Sequence, residues 1–145
     1  MDSEVVVNKQ AWVKDIAFKD YRNGCVTIAS DAGSVEILTD VPREVILWHA
    51  QRSGNVPVKG YIFRYVDKNI TWPVISKDLT ELSLTGGYLT SPSKTVCLKT
   101  GTTRYWRSTN QIAKEFKLHL NTIRRKMNRN GGHCIINDHR ISLID

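Results

Sequence analysis

The stretch RSTNQIAKEFKLHLNTIRRKMNRNGG, residues 107–132, decides how the rest of this chain is read. Ser108 stands where a helix N-cap should, and Gln111 three residues on makes a capping box. Ile112, Ala113 and Phe116 follow at helical spacing and form one apolar stripe. Leu118 and Leu120 bracket a short turn. Asn121 is placed to cap a second helix, Ile123 and Met127 form that helix's inner face, and Gly131-Gly132 stops it. Ala113 is small where the two helices would cross closely.

This arrangement leaves Thr122, Arg124, Arg125, Lys126, Asn128 and Arg129 facing outward. Arg can donate two bonds to guanine and Asn can pair with the edge of adenine, while Lys and Thr reach phosphates. A helix-turn-helix that sets its second helix in the major groove uses side chains of these kinds. Asn121 at the start of that helix, Lys114 and Lys117 on the helix before it, His119 in the turn and Arg107 just ahead complete the candidate nucleic-acid-binding set. The plainer alternative is a helical hairpin whose basic face is only solvated.

Charge distribution favours the first reading. The chain has 145 residues and a net charge of +7. Residues 93–145 hold eleven Lys and Arg against Glu115, Asp138 and Asp145, a net +8, which leaves −1 for residues 1–92. Such a split suggests a polyanion-binding portion attached to a neutral one. Cys25, Cys97 and Cys134 are odd in number and form no C-x-x-C pair, so neither zinc nor a disulfide framework is supported. No apolar run approaches the length of a membrane span. The acidic start of MDSEVVVNKQAWVKD does not suit a secretory signal, which points to a cytoplasmic protein.

The remaining segments predict an α+β protein of two small related modules, residues 1–75 and 93–145, with 76–92 as a linker. In the first, residues 24–39 alternate around Asp31-Ala32-Gly33 like a β-hairpin, and residues 40–54 read as a helix capped by Asp40 and stopped by Gly54. Residues 57–68 read as a strand, with Tyr61, Phe63 and Tyr65 on one face and Ile62, Arg64 and Val66 on the other. Pro73, Gly86, Gly87 and Pro92 punctuate a stretch without clear period. In the second module, hairpins at 95–106 and 133–144 flank the helix pair, the latter turning at Asn137-Asp138. The halves read as two copies of one plan, the first lacking the helix at 109–117. Trp12, Trp48, Trp72 and Trp106 are expected as core anchors.

The segment STNQIAKEFKLHLNTIRRKM resembles the helix-turn-helix of the nuclease-associated modular DNA-binding repeats, the NUMOD-type or intron-encoded nuclease repeats of homing endonucleases and phage proteins. Ser108, Ala113, Thr122, Ile123 and Met127 fall on that pattern; Lys117 stands where those repeats usually have Gly, and His119 where they often have Ser. The N-terminal half resembles the same repeats more faintly, through VPVKGYIFRY and the TWP after it. The resemblance implies a phage or mobile-element protein that binds double-stranded DNA in a host cytoplasm.

It does not imply a nuclease, because homing enzymes of this kind carry a separate catalytic domain and no GIY-YIG pair is visible. His133, Asn137, His139 and Arg140 lie too close together for a ββα-metal site, and no Walker, dinucleotide, H-E-x-x-H or G-x-S-x-G motif occurs. The expectation is a non-catalytic regulator or accessory factor, without cofactor or metal. The N-terminal module is left with three roles: binding more DNA, forming a homodimer, or engaging a host protein. The rival readings are a phage-type factor that modulates a host protein, and an RNA binder stacking bases on Tyr61, Phe63 and Tyr65 beside Lys59 and Arg64.

Overall fold

A computed structural model describes residues 14–66 and 69–144 and divides the chain into two units, residues 1–75 and 76–145. In the first, β1 (Ile16–Asp20) pairs antiparallel with β2 (Val26–Ala29) on one side and β3 (Tyr61–Tyr65) on the other, in the order β2-β1-β3. Helices α1 (Ala32–Thr39) and α2 (Arg43–Arg52) lie between β2 and β3 in sequence. The core gathers Ile16 and Phe18 from β1, Val35 from α1, Val41 from the turn, Ile46 from α2 and Phe63 from β3.

The hairpin expected over residues 24–39 is therefore half strand and half helix. Asp31 caps α1, its carboxylate accepting from the Ser34 N–H at 2.7 Å. The alternation of Val35 and Ile37 that suggests a strand is a coincidence, because Val35 is buried and Ile37 is solvent-exposed; the buried residues Ala32, Val35 and Thr39 follow the helical period. Asp40 is accordingly not the N-cap of the next helix. It ends α1 in the left-handed conformation, φ +60°, and Pro42 occupies the N-cap position of α2. Both faces of β3 are covered. Arg64 is buried, its guanidinium donating to the Gly54 and Thr71 carbonyls and to Asn55 Oδ1.

In the second unit, β4 (Ser93–Cys97), β5 (Thr103–Trp106), β6 (His133–Ile136) and β7 (His139–Leu143) form a sheet in the order β5-β4-β7-β6. The expected hairpins both form. Asn137 and Asp138 each take positive φ, +51° and +61°, the type I′ geometry that matches strand twist. The expected linker 76–92 holds a helix, α3 (Lys77–Leu84), which lies against β5. Ser76 caps it through the Leu79 N–H. Its buried face is Leu79, Thr80 and Ser83, and the two hydroxyls bond to the Ser76 and Thr80 carbonyls. Polar residues on the inner face, among Pro and Gly, hid the helical period. Two helices, α4 (Thr109–Phe116) and α5 (Leu120–Arg129), complete the unit.

The two units repeat one plan more closely than the sequence suggests. Ile16 and Ser93, Val26 and Thr103, Ala32 and Thr109, and Arg43 and Leu120 open corresponding elements, each pair 77 residues apart. Asp40 and Lys117 are both left-handed residues in the turn between the helices. Lys59 and Gly60, both at positive φ, join Val58 to Tyr61 as Asn137 and Asp138 join Ile136 to His139. The N-terminal copy thus does not lack the helix at 109–117; α1 is its counterpart.

Candidate nucleic-acid interface

Helix α4 starts at Ser108, whose hydroxyl accepts from the Gln111 N–H at 3.3 Å, while Gln111 Oε1 accepts from the Arg107 N–H at 3.0 Å. Thr109 anchors its first turn to the sheet through a buried bond to the Ser93 hydroxyl, 3.0 Å. Ile112 and Ala113 then enter a core shared with Ile123 and Met127 of α5, and Phe116 packs edge-on against Trp106. The Trp106 indole N–H is itself satisfied by Thr95.

The turn is tight because Lys117 adopts φ +56°, ψ +46°. Its N–H and that of Leu118 bond back to the Lys114 and Ala113 carbonyls, closing the end of α4. His119, not Asn121, is the N-cap of α5, and its side chain makes no capping bond; Asn121 lies inside the first turn. Gly131 and Gly132, at φ +72° and +99°, carry the chain from α5 toward β6, with the Gly132 N–H on the Met127 carbonyl.

Helix α5 buries only Ile123 and Met127. At about 100° per residue, Arg125 points roughly opposite that buried pair, with Asn121, Asn128, Arg129 and the half-exposed Thr122 around it and Arg124 and Lys126 on the flanks. Lys114 and Lys117 are exposed on the preceding helix and turn, and His119 is exposed beside them. Among the described residues, none of these cations forms an ion pair with a carboxylate. Residues 108–129 carry six Lys and Arg against Glu115 alone. Arg107 stands apart from this set. Its guanidinium donates to the Leu82, Thr85 and Gly87 carbonyls and so closes the C-terminal end of α3.

The equivalent positions of the N-terminal copy carry different chemistry. Where the C-terminal pair has Lys114, Arg124, Arg125 and Lys126, the N-terminal pair has Ile37, Leu47, Trp48 and His49. Trp48 is not a core anchor but is 51% exposed; Trp106 is buried, Trp72 is half-buried, and Trp12 lies outside the described residues. Phe63, Arg64 and Tyr65 are all buried, so β3 does not offer an open stacking face at Tyr61, Phe63 and Tyr65.

Beside the end of α4, a groove of about 400 Å³ is lined in part by Cys97, Arg104, Trp106, Glu115, Phe116 and His139. Arg104 stacks on Trp106 at 3.8 Å from the ring centre. A hydrogen bond with the Thr100 side chain holds the Cys97 thiol below its usual range, whereas burial pushes the Cys134 thiol up. All three cysteines are free, and no cluster of three metal-ligating side chains exists among the described residues. No helix among them is long and apolar enough to cross a membrane. Comparison with protein-family models, with curated proteins and with solved structures found no match.

Proposed function

We propose that the C-terminal unit binds double-stranded DNA, with α5 as the helix that enters the major groove. One observation carries the reading: α5 is held by two buried residues on one side while its other side presents Arg124, Arg125, Lys126 and Arg129 without carboxylate partners among the described residues. A basic helix that served only solubility would be expected to carry acids among its bases. Here the only acid of the helix pair is Glu115. Phosphate neutralisation supplies the affinity and makes it salt-dependent, and the outward Arg125 with its Asn neighbours supplies base preference. The role is that of a non-catalytic regulator or accessory factor that occupies or marks a site.

The test is a double variant, Arg124→Ala with Arg125→Ala. Both side chains are exposed and Ala is a good helix former, so circular dichroism should be unchanged. Duplex affinity, read by fluorescence anisotropy at two salt concentrations, should fall by at least about tenfold, since one base-reading Arg alone is worth about 1–3 kcal/mol. Unchanged affinity would reduce the basic face to a solvated one and hand the function to protein interaction.

A further inference from the structure

The N-terminal copy keeps the helix pair and, in Arg52, the counterpart of Arg129, but has Ile37, Leu47, Trp48 and His49 in place of four other cations, and the resulting surface has a pattern of its own. Along α2, Glu44, Trp48 and Arg52 recur every four residues, so they form one exposed stripe about 12 Å long with opposite charges at its ends. The Arg52 guanidinium lies over the Trp48 ring at 4.1 Å from its centre and donates to the Trp48 carbonyl, which holds the indole in place at the surface. Ile37 and Leu38 on α1 are also exposed, at 84% and 59%. Glu44 in the first turn and Arg52 in the last suit the helix dipole, which accounts for the charges but not for a half-exposed Trp between them.

We propose that two copies of this chain associate through α2, laid antiparallel across a twofold axis at Trp48. An isologous contact needs a surface complementary to itself. This stripe meets that condition: reversal about Trp48 sets Glu44 of each copy against Arg52 of the other and stacks the two indoles at the centre. The nearby Glu36 is already bridged to Arg43 at 3.3 Å and adds no bare charge. Residues 1–75 hold nine Lys and Arg against nine Asp and Glu, so two N-terminal units approach without net repulsion, whereas the net +7 of residues 76–145 disfavours pairing through the other unit. The cation-for-apolar exchange between equivalent helices then has a physical meaning: one copy of the repeat meets a polyanion, the other meets itself.

Sedimentation equilibrium of the full chain, over a wide concentration range at moderate salt, tests this without nucleic acid, so it stands or falls separately from the DNA reading. The wild type should show a concentration-dependent monomer–dimer equilibrium. Glu44→Arg alone, or Arg52→Glu alone, sets like charges together twice per interface and should weaken the dimer by at least about tenfold. The combined Glu44→Arg, Arg52→Glu variant restores opposite charges in mirrored order and should recover most of the affinity. Trp48→Ala should weaken it independently. A wild type that stays monomeric up to about millimolar concentration, where even weak contacts register, overturns the proposal. So does a dimer indifferent to the single reversals, or a double reversal that recovers nothing.

Discussion

Replacing Lys117 with Gly should make the C-terminal unit more stable and its DNA binding weaker, so that stability and affinity move in opposite directions. Lys117 sits at φ +56° with its side chain in solvent, so it bears the left-handed strain with no compensating contact given by its own burial. That conformation costs a residue with a Cβ roughly 1–2 kcal/mol. Glycine removes the strain but returns about 0.5–1 kcal/mol through the greater freedom of the unfolded chain. The net gain is about 0.7 kcal/mol, or about 3–6 °C in the melting temperature of a unit this size. The lost ammonium group, if it sits on a phosphate, should lower the slope of log affinity against log salt by about one. Thermal unfolding followed by circular dichroism, with amide exchange at Ile112 and Ile123 reporting this unit, measures the first effect; anisotropy titrations at several salt concentrations measure the second. Lys117→Asn, which tolerates the left-handed region better than Lys, should lie between for stability and match Gly for binding. A loss of stability in the Gly variant would refute the strain argument, and an unchanged salt slope would move Lys117 off the interface.

Ile123→Ala empties a fully buried site between α5 and the sheet and should destabilise the C-terminal unit by about 2–5 kcal/mol, measured by urea unfolding, with loss of duplex binding as the helix comes loose. A fragment of residues 76–145 should retain salt-dependent duplex binding and residues 1–75 should show little; equal binding by the N-terminal piece would contradict the charge split. Cys97, whose thiol is acidified by Thr100, should react with a disulfide reagent at neutral pH faster than an unperturbed thiol, because more of it is thiolate there. Cys134, buried and shifted the other way, should react only on unfolding, and Thr100→Val should slow Cys97 alone.

The C-terminal helix pair is legible in the sequence because every local signal there agrees. Ser108 and Gln111 mark the start, Ile112, Ala113, Ile123 and Met127 keep the helical period, and two glycines mark the end. Charge asymmetry and the Asn137-Asp138 turn are equally direct, since composition and turn chemistry are properties of neighbouring residues. In the N-terminal pair α2 is legible as a helix but α1 is not, because its local signals conflict: Ile37 and Leu38 are apolar yet exposed, so the hydrophobic pattern does not mark the inner face, and on α2 Trp48 is exposed as well. Helix α3 is hard to read from the sequence for the opposite reason: Thr80 and Ser83 are polar yet buried, satisfied by carbonyls one turn back.

What the sequence determined by itself is the class of the fold, the place of the basic helix and the residues that line it, all of which follow from period, caps and charge within about twenty residues. What only the tertiary structure decided is which of those side chains are available. Arg107 and Arg124 are chemically identical and lie one helix apart, yet the first is spent on the carbonyls of Leu82, Thr85 and Gly87 while the second faces solvent. The sequence suggests two copies of one plan, but the constant 77-residue register, with α1 as the counterpart of α4, emerges only when β1, β2, α1 and α2 are laid against β4, β5, α4 and α5. A backbone plan survives wherever buried volume and turn geometry are kept, and those constraints act on contacts between residues far apart in the chain; outward-facing side chains are free of them, so the two copies could diverge to opposite chemistry on one scaffold.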